Sequence, residues 1–437
     1  MIDVLWGLGG MAGLLLVAAA CSSDRRSIRL RTVLGALGLQ VAFAVLVLYW
    51  PPGQRALGSL SEGFQAVIDT SGEGIGFLFG PVLPQEGSVF AFQVLPVIIF
   101  FASLTAVLYH WRILPRVVAV LGGGLGRLLG TKRAESVSAA SNIFVGQTEA
   151  PLVIRPYIGG LSRSGLFAVM VGGLASVAGS VLVGYSLLGA PLEYLIAASF
   201  MAAPGGLLMA KIIEPERSVP DEAGAATEPT DDAAPRAVAG TTDESHVDSS
   251  STGPAPEAGS DADVMRYRNV IDAAATGASD GLRLALTIGA MLLAFISLIA
   301  LVNLAVGGIG GWFGLDDLTF ERMLGWIFAP VMSMIGVPWS EAVDAGSFLG
   351  QKLVLNEFVA FTNFGPQIES FTPKTAAIIT FALTGFANLA SLGILLGGLG
   401  GLAPERRPEI ASLGLRAVLA ATLANLMSAT LAGMLIG

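Results

Sequence analysis

Residues 141–157 read SNIFVGQTEAPLVIRPY, and within them Asn142, Gln147, Thr148 and Glu149 stand close together between apolar neighbours. In a water-soluble protein this would be an ordinary polar loop. The chain around it excludes that solvent: 53% of its 437 residues are hydrophobic, 13% are charged and the mean hydropathy is +0.71. That balance belongs to an integral membrane protein rather than to a soluble globule of this size. Apolar runs near 2–21, 30–50, 90–111, 164–188, 193–213, 284–307, 373–400 and 412–436 are candidates to cross a bilayer, which takes about 20 residues as helix. None alternates as a barrel strand would, so all eight are expected to be helices.

The net charge of −9 has a local source. Residues 214–263 are crowded with Asp, Glu, Pro, Ala, Ser and Thr, and they read as a disordered, solvated linker. A single cysteine, Cys21, excludes a disulfide framework, and two histidines, His110 and His246, leave no His/Cys metal cluster. The stretch LLLVAAACSS around Cys21 has the look of a lipoprotein-type cleavage site, but no positive region precedes it, and Arg25, Arg26, Arg29 and Arg31 follow the apolar run. A first helix with its N-terminus outside fits that order better.

Carried along the chain, the same rule sets Arg25–Arg31, Arg112, Arg116, Arg127, Lys132, Arg133, Arg155, Arg163, Lys211, Arg406, Arg407 and Arg416 on the cytoplasmic side. The outer side receives Arg55, Arg322, Lys352 and Lys374, and both termini lie outside. Arg133 and Arg155 must then share a side. The stretch between them contains Pro151 and the polar cluster, so it is expected to enter from the cytoplasm and turn back as a re-entrant hairpin. Irregular backbone survives at that depth only where it lines a protein cavity.

A second copy follows about two hundred residues later. ESVSAASNIFVGQTE (135–149) and EAVDAGSFLGQKLVLNE (341–357) share an acidic start, a run of small residues, a Gly-Gln pair and a closing Glu. Each is followed by an interrupted span, GGLASVAGS (172–180) and GFANLASLG (385–393). The topology sets the second hairpin on the opposite face. Two opposed hairpins with discontinuous helices make an inverted repeat, which in transporters holds a substrate site at the midplane. The polar cluster is then half of such a site. Glu149 and Glu357 can serve as its functional groups or as structural carboxylates at the hairpin tips; ionisable groups at membrane depth favour function. Asn388 and Ser391, three apart, share a helix face or its break, where helix packing is the other role open to them. The glycine clusters at 122–126, 307–311 and 397–401 lack a preceding strand and a Walker lysine, so they are turns and packing surfaces.

The segments GQTEAPLVIRPY, ASVAGSVLVGY, ASFMAAPGGLLMAK, NVIDAAATGASDGLRLAL, LVLNEFVAF, GFANLASLGI and GGLGGLAPERR together resemble the concentrative nucleoside transporter family in its shorter bacterial form. The resemblance covers almost the whole chain from about Val89 onward. It implies a homotrimer in the cytoplasmic membrane that moves nucleosides inward with a cation gradient, with no organic cofactor and no nucleic-acid partner. By motif, Gln147, Thr148 and Glu149 would face the nucleobase beside Val181 and Phe386, while Glu357, Asn388 and Ser391 would hold the ribose hydroxyls. A coupling Na⁺ would lie at the Asn142 and Ser176 side chains and the Val145 and Val177 carbonyls. Oxygen ligands of this kind suit a hard cation. The alternative coupling ion is a proton, for which Glu149 or Glu357 would be the titrating group.

The expected division is an N-terminal scaffold (1–113), a first repeat (114–213), the linker (214–263), a scaffold helix with interfacial helices (264–336), a second repeat (337–400) and a C-terminal helix (401–437). A membrane enzyme would need a nucleophile, a metal cluster or an active-site histidine beside the two glutamates, and none is evident. A non-transporting gate-domain protein shares part of the core but would not need both hairpins and both broken helices. The acidic insertion at 218–262 is longer than the family leads one to expect. Replacing it with a short Gly/Ser tether should leave uptake and trimer formation nearly unchanged; loss of transport from protein that reaches the membrane at normal levels would assign the segment a function.

Overall fold

A bilayer offers backbone amides no outside partner, and every regular element among the described residues is helical. The computed structural model describes residues 2–83, 89–216, 267–312, 314 and 318–436. The order is α1 (Ile2–Ala20), α2 (Leu30–Ala44), α3 (Pro51–Phe79), α4 (Phe90–His110), α5 (Ile113–Leu129), α6 (Arg133–Ser141), α7 (Ala150–Val153), α8 (Arg155–Ile158), α9 (Arg163–Ala175) and α10 (Gly179–Leu187). Then come α11 (Leu192–Ile213), α12 (Val270–Trp312), α13 (Phe320–Met334), α14 (Trp339–Val354), α15 (Glu357–Phe364), α16 (Pro373–Leu383), α17 (Ser391–Leu402) and α18 (Arg407–Ile436). Among the described residues, seven stretches are long and apolar enough to cross a membrane, counting the broken pair α9/α10 as one. The pair α13 and α14 is long and apolar enough only when taken together and bends by 117° at its break, and α16 and α17 are shorter apolar helices.

Burial sorts these helices into an inside and a periphery. Arg163–Leu187 and α11 are each 94% buried and Pro404–Ile436 is 78% buried, whereas the peripheral spans in α1, α2, α4 and α12 reach only 22–33%. The first group is the core. The second turns large side chains such as Leu293 and Leu304 of α12 outward, as a surface facing lipid does. Sequence hydropathy passed over α3, a 29-residue helix opened by Pro51 and Pro52; its Arg55, Glu62, Asp69 and Glu73 keep it too polar to be read as a span.

The two hairpins start at opposite ends of the molecule. The first, α6 returning through α7 and α8, begins beside Lys132 and Glu135, which pair with Glu216 and Lys211 at the end of α11. Arg416 of α18 joins the same end, bonding Glu214 and the Cys21 carbonyl. The second hairpin, α14 and α15, begins at Glu341, which accepts from the Thr372 amide and hydroxyl ahead of α16. That end also holds the Lys374–Asp3 ion pair and the Trp6–Ser333 bond.

Two expectations are corrected here. Residues 214–216 do not belong to a solvated linker: Glu214 is 2% exposed and bonds both Arg163 and Arg416. Glu216 accepts from Ser162 and pairs with Lys132 and Lys211; burial pushes its carboxyl up, but these donors outweigh it and hold it below the usual range. The rest of the linker, residues 217–263, lies outside the described residues. Lys352, counted from its charge among the outer-face cations, is fully buried inside the second hairpin.

Both broken helices are interrupted where the sequence suggested, and the breaks meet. Gly179 N, freed at the first, donates to the Phe144 carbonyl of the first hairpin at 3.1 Å; Phe386 N, freed at the second, donates to the Ser176 carbonyl of the first break at 3.1 Å. Gly385, with φ +154°, lies between them, and a Cβ there would sit 2.8 Å from the Ala175 carbonyl oxygen and closer still to Asn425. Only glycine fits that crossing.

On the periphery, α4 and α12 approach through small residues. A Cβ on Gly277 would lie 2.6 Å from Ala106 Cβ, and one on Gly281 would lie 2.7 Å from Ala102 Cβ. This is the close small-residue packing that associates helices in lipid. Gly281→Leu should separate the pair, costing about 1–3 kcal/mol or more by overpacking, and lower the thermal unfolding temperature in detergent. Gly58→Leu on α3, where nothing lies within 4 Å, should not. Equal behaviour of the two variants would show that the close approach is dispensable.

Candidate functional site

One cavity of about 340 Å³ lies where the hairpin tips and the helix breaks converge. Gln147, Thr148 and Glu149 reach it from the first hairpin, Val181 from the start of α10, Glu357 from the start of α15, and Phe386, Asn388 and Ser391 from the second break. All eight residues assigned from the sequence to a substrate therefore share one wall system. Of the four assigned to an ion, Val145 lines the cavity. Asn142, Ser176 and Val177 lie behind it, 1%, 2% and 0% exposed.

Glu357 owes its position to a helix start. Asn356 caps α15 by accepting from Val359 N at 2.9 Å, so Glu357 occupies the first turn, where the helix dipole favours a carboxylate. Its two oxygens are held separately. The Tyr185 hydroxyl donates to Oε1 at 2.9 Å and Asn388 Nδ2 donates to Oε2 at 2.8 Å. Asn388 is fixed in turn by accepting from Ser391 N at 2.8 Å, at the start of α17. A carboxylate offers about four acceptor positions, so this buried group keeps capacity for hydroxyls of a ligand.

Tyr185 is a buried partner of Glu357 that the sequence reading missed. Its ring is fully buried, stacked on Phe361 at 4.5 Å and edge-on to Phe358 at 4.8 Å, which leaves its hydroxyl one direction. A weak signal existed, since Tyr185 follows Val181 by four residues and shares its helix face. The wall formed by α4 and α12, including Thr105, Tyr109, Asp280 and Thr287, was also unassigned. Asp280 was the one signal available there, an acid just ahead of an apolar span, and it was not used.

At the first hairpin, Asn142 ends α6 and its Nδ2 donates to the Ser138 carbonyl at 2.9 Å. That bond aims Oδ1 away from the helix, and Oδ1 is buried with no partner. The side chain lies against α9 at Gly172 and Gly173, one turn before Ser176. Ser176 Oγ donates to the Gly172 carbonyl at 2.9 Å, which leaves its lone pairs available. Gln147 Oε1 is likewise buried and unpartnered, on the cavity lining. Buried polar atoms without partners are costly unless a ligand or ion completes them.

The chain matches three family models end to end: "Na+ dependent nucleoside transporter N-terminus" over residues 9–82, "Nucleoside recognition" over 91–192 and "Na+ dependent nucleoside transporter C-terminus" over 194–433. It is 52% identical to the transporter YutK of Bacillus subtilis, over the full length of both chains. It is 46% identical to the nucleoside permease NupC of Helicobacter pylori, covering 99% of this chain and 98% of the permease. The solved structure of CNTnw in an inward-facing substrate-bound state superposes with a TM-score of 0.87 at 48% identity, covering 99% of this chain and 98% of that one. These relatives are transporters and permeases, not enzymes.

Removing the Tyr185 hydroxyl leaves a buried carboxylate oxygen short of a donor, a loss worth about 1.5–3 kcal/mol. Tyr185→Phe should destabilise the folded protein by that order. In the Glu357→Gln background the same change should cost far less, because the charge it serves has gone. Equal costs in the two backgrounds, measured by thermal unfolding, would show that the two residues do not act together.

Proposed function

The chain belongs to the concentrative nucleoside transporter family, and from that membership we propose that it is a sodium symporter that imports nucleosides across the cytoplasmic membrane by alternating access. The observation that carries this is the single cavity holding Gln147, Thr148 and Glu149 opposite Glu357, Asn388 and Ser391. One group suits the ring donors and acceptors of a nucleobase, with Val181 and Phe386 beside it. The other suits vicinal ribose hydroxyls, which a carboxylate already steadied on both oxygens can accept.

Sodium is the coupling ion in this reading. The unpartnered Asn142 Oδ1 supports it, as do the Ser176 hydroxyl and the freed backbone beside it, because a hard cation takes oxygen ligands at half-helix ends. The two matching family descriptions point the same way. An ion held by Asn142, Ser176 and the Val145 and Val177 carbonyls would brace the tip that presents Gln147. Ion and nucleoside would then each strengthen the other's binding. The protein acts as a homotrimer, with the Lys132, Arg163, Lys211 and Arg416 end cytoplasmic and both termini outside, in keeping with the distribution of basic residues.

Uptake of radiolabelled uridine into proteoliposomes tests the whole reading, and an inward Na⁺ gradient should drive it. Uptake driven instead by a pH gradient, with choline replacing Na⁺, would assign coupling to a carboxylate. No uptake under either gradient, from protein that binds uridine, would indicate a gate-like protein that does not transport. Asn142→Ala or Ser176→Ala should abolish the Na⁺ dependence of uridine affinity while leaving the assembly intact. Glu357→Gln should weaken uridine binding by about 1.5–3 kcal/mol for each charge-assisted bond lost; uracil binding as tight as uridine binding would remove the ribose clamp.

A further inference from the structure

The second hairpin carries a buried cation that the proposed transport chemistry does not use. Lys352, in the last turn of α14, is fully buried, and its Nζ donates to the Ala382 carbonyl at 2.7 Å and to Asn425 Oδ1 at 2.9 Å. Lys211, the other buried lysine, is paired with the carboxylate of Glu135. Lys352 donates its hydrogen bonds to uncharged acceptors, and the carboxylate it acts on through space is Glu357 of the cavity, to which it makes no hydrogen bond.

Those acceptors are the groups that the helix breaks set free. Ala382 lies in the last turn of α16; in an unbroken helix its carbonyl would accept from Phe386 N, which instead bonds Ser176 O. Asn425 relays the second one, because its Nδ2 donates to the carbonyl of Ala175, the last residue of α9, at 2.7 Å. The amide that would have satisfied Ala175, on Gly179, bonds Phe144 O. The C-terminal ends of both half-helices, each the negative end of a helix dipole, are thus gathered on one ammonium. In transporters built on broken helices, such ends are where coupling cations are coordinated.

The two repeats make the comparison specific. In the first, Asn142 ends the inward arm of its hairpin and lies against the last turn of α9, with an unfilled oxygen. In the second, Lys352 ends the inward arm of its hairpin and bonds the last turn of α16, with no oxygen left to fill. We propose that Lys352 is a tethered cation that takes, in the second repeat, the place an exchangeable ion takes in the first, so that it positions the second break and each protomer needs one mobile cation at the site rather than two. The comparison rests on the sodium reading of the first repeat. The role of Lys352 itself does not.

The test uses the full chain purified in detergent, with uridine affinity measured in saturating NaCl. Lys352→Gln keeps a donor for Ala382 and loses the charge; Lys352→Ala loses both and leaves a hole. Both should weaken uridine binding by about tenfold or more. Propylammonium, a detached stand-in for the missing head group, should restore most of the affinity of Lys352→Ala, while 1-propanol, of the same size and uncharged, should not. Wild-type affinity in Lys352→Gln would overturn the proposal. So would equal rescue by the alcohol, no rescue by the amine, or failure of both variants to fold with the amine present throughout. Sodium titration of the wild-type protein separates the two ideas. A wild type indifferent to Na⁺ would sink the sodium reading, yet the amine rescue would still decide the role of Lys352.

Discussion

Breaking a helix inside a membrane releases backbone amides and carbonyls that hydrocarbon cannot satisfy, and the rest of this structure follows from how those groups are met. The freed amides are exchanged between elements: Gly179 N goes to the first hairpin and Phe386 N to the other break. The freed carbonyls of Ala175 and Ala382 converge on Asn425 and Lys352. Each unsatisfied group would cost several kcal/mol in that medium. The breaks therefore cannot exist separately, and the two repeats are held together where both are irregular. A largely apolar cavity with a few polar side chains set into its wall is the by-product of that crossing, and the peripheral helices α4 and α12 form part of that wall.

The same crossing explains why site residues come from distant parts of the chain yet hold fixed orientations. Glu357 depends on the cap of α15, on Tyr185 from the first repeat and on Asn388 from the second break. Asn388 in turn depends on the start of α17. The first hairpin tip is supported differently: Asn142 is steadied by its own helix, and Thr148 rests against Gly398 of α17. Unpartnered oxygens remain at Asn142 and Gln147, on the half that the proposed function gives to a mobile ion and a base. The half with Lys352 has its acceptors filled by the protein itself. This asymmetry within a symmetric architecture suits a transporter that must release one ligand set while keeping its fold.

Much of this was legible in the sequence because it rests on composition, periodicity and motif. Membrane solvent, helical spans, opposed hairpins, the positions of both breaks and six of the cavity residues follow from apolar length, basic-residue distribution and two polar interruptions at matching distances, while Val181 and Phe386 came only with the family resemblance. Residues such as Gln147, Thr148 and Glu149 betray themselves by being too polar for where they stand. Tertiary structure alone decided the rest, for a physical reason that is the same in each case. Tyr185 looks like an ordinary aromatic in an apolar span until Glu357, 172 residues away, is seen to accept its hydroxyl. Lys352 looks like a surface charge by the positive-side rule until two helix ends are seen to meet on it. Glu214 and Glu216 read as the start of a solvated linker until the basic residues of α9, α11 and α18 are brought beside them. A sequence shows which side chains are expensive to bury; only the fold shows which partner offsets the cost, because that partner is set by the crossing of helices and not by distance along the chain.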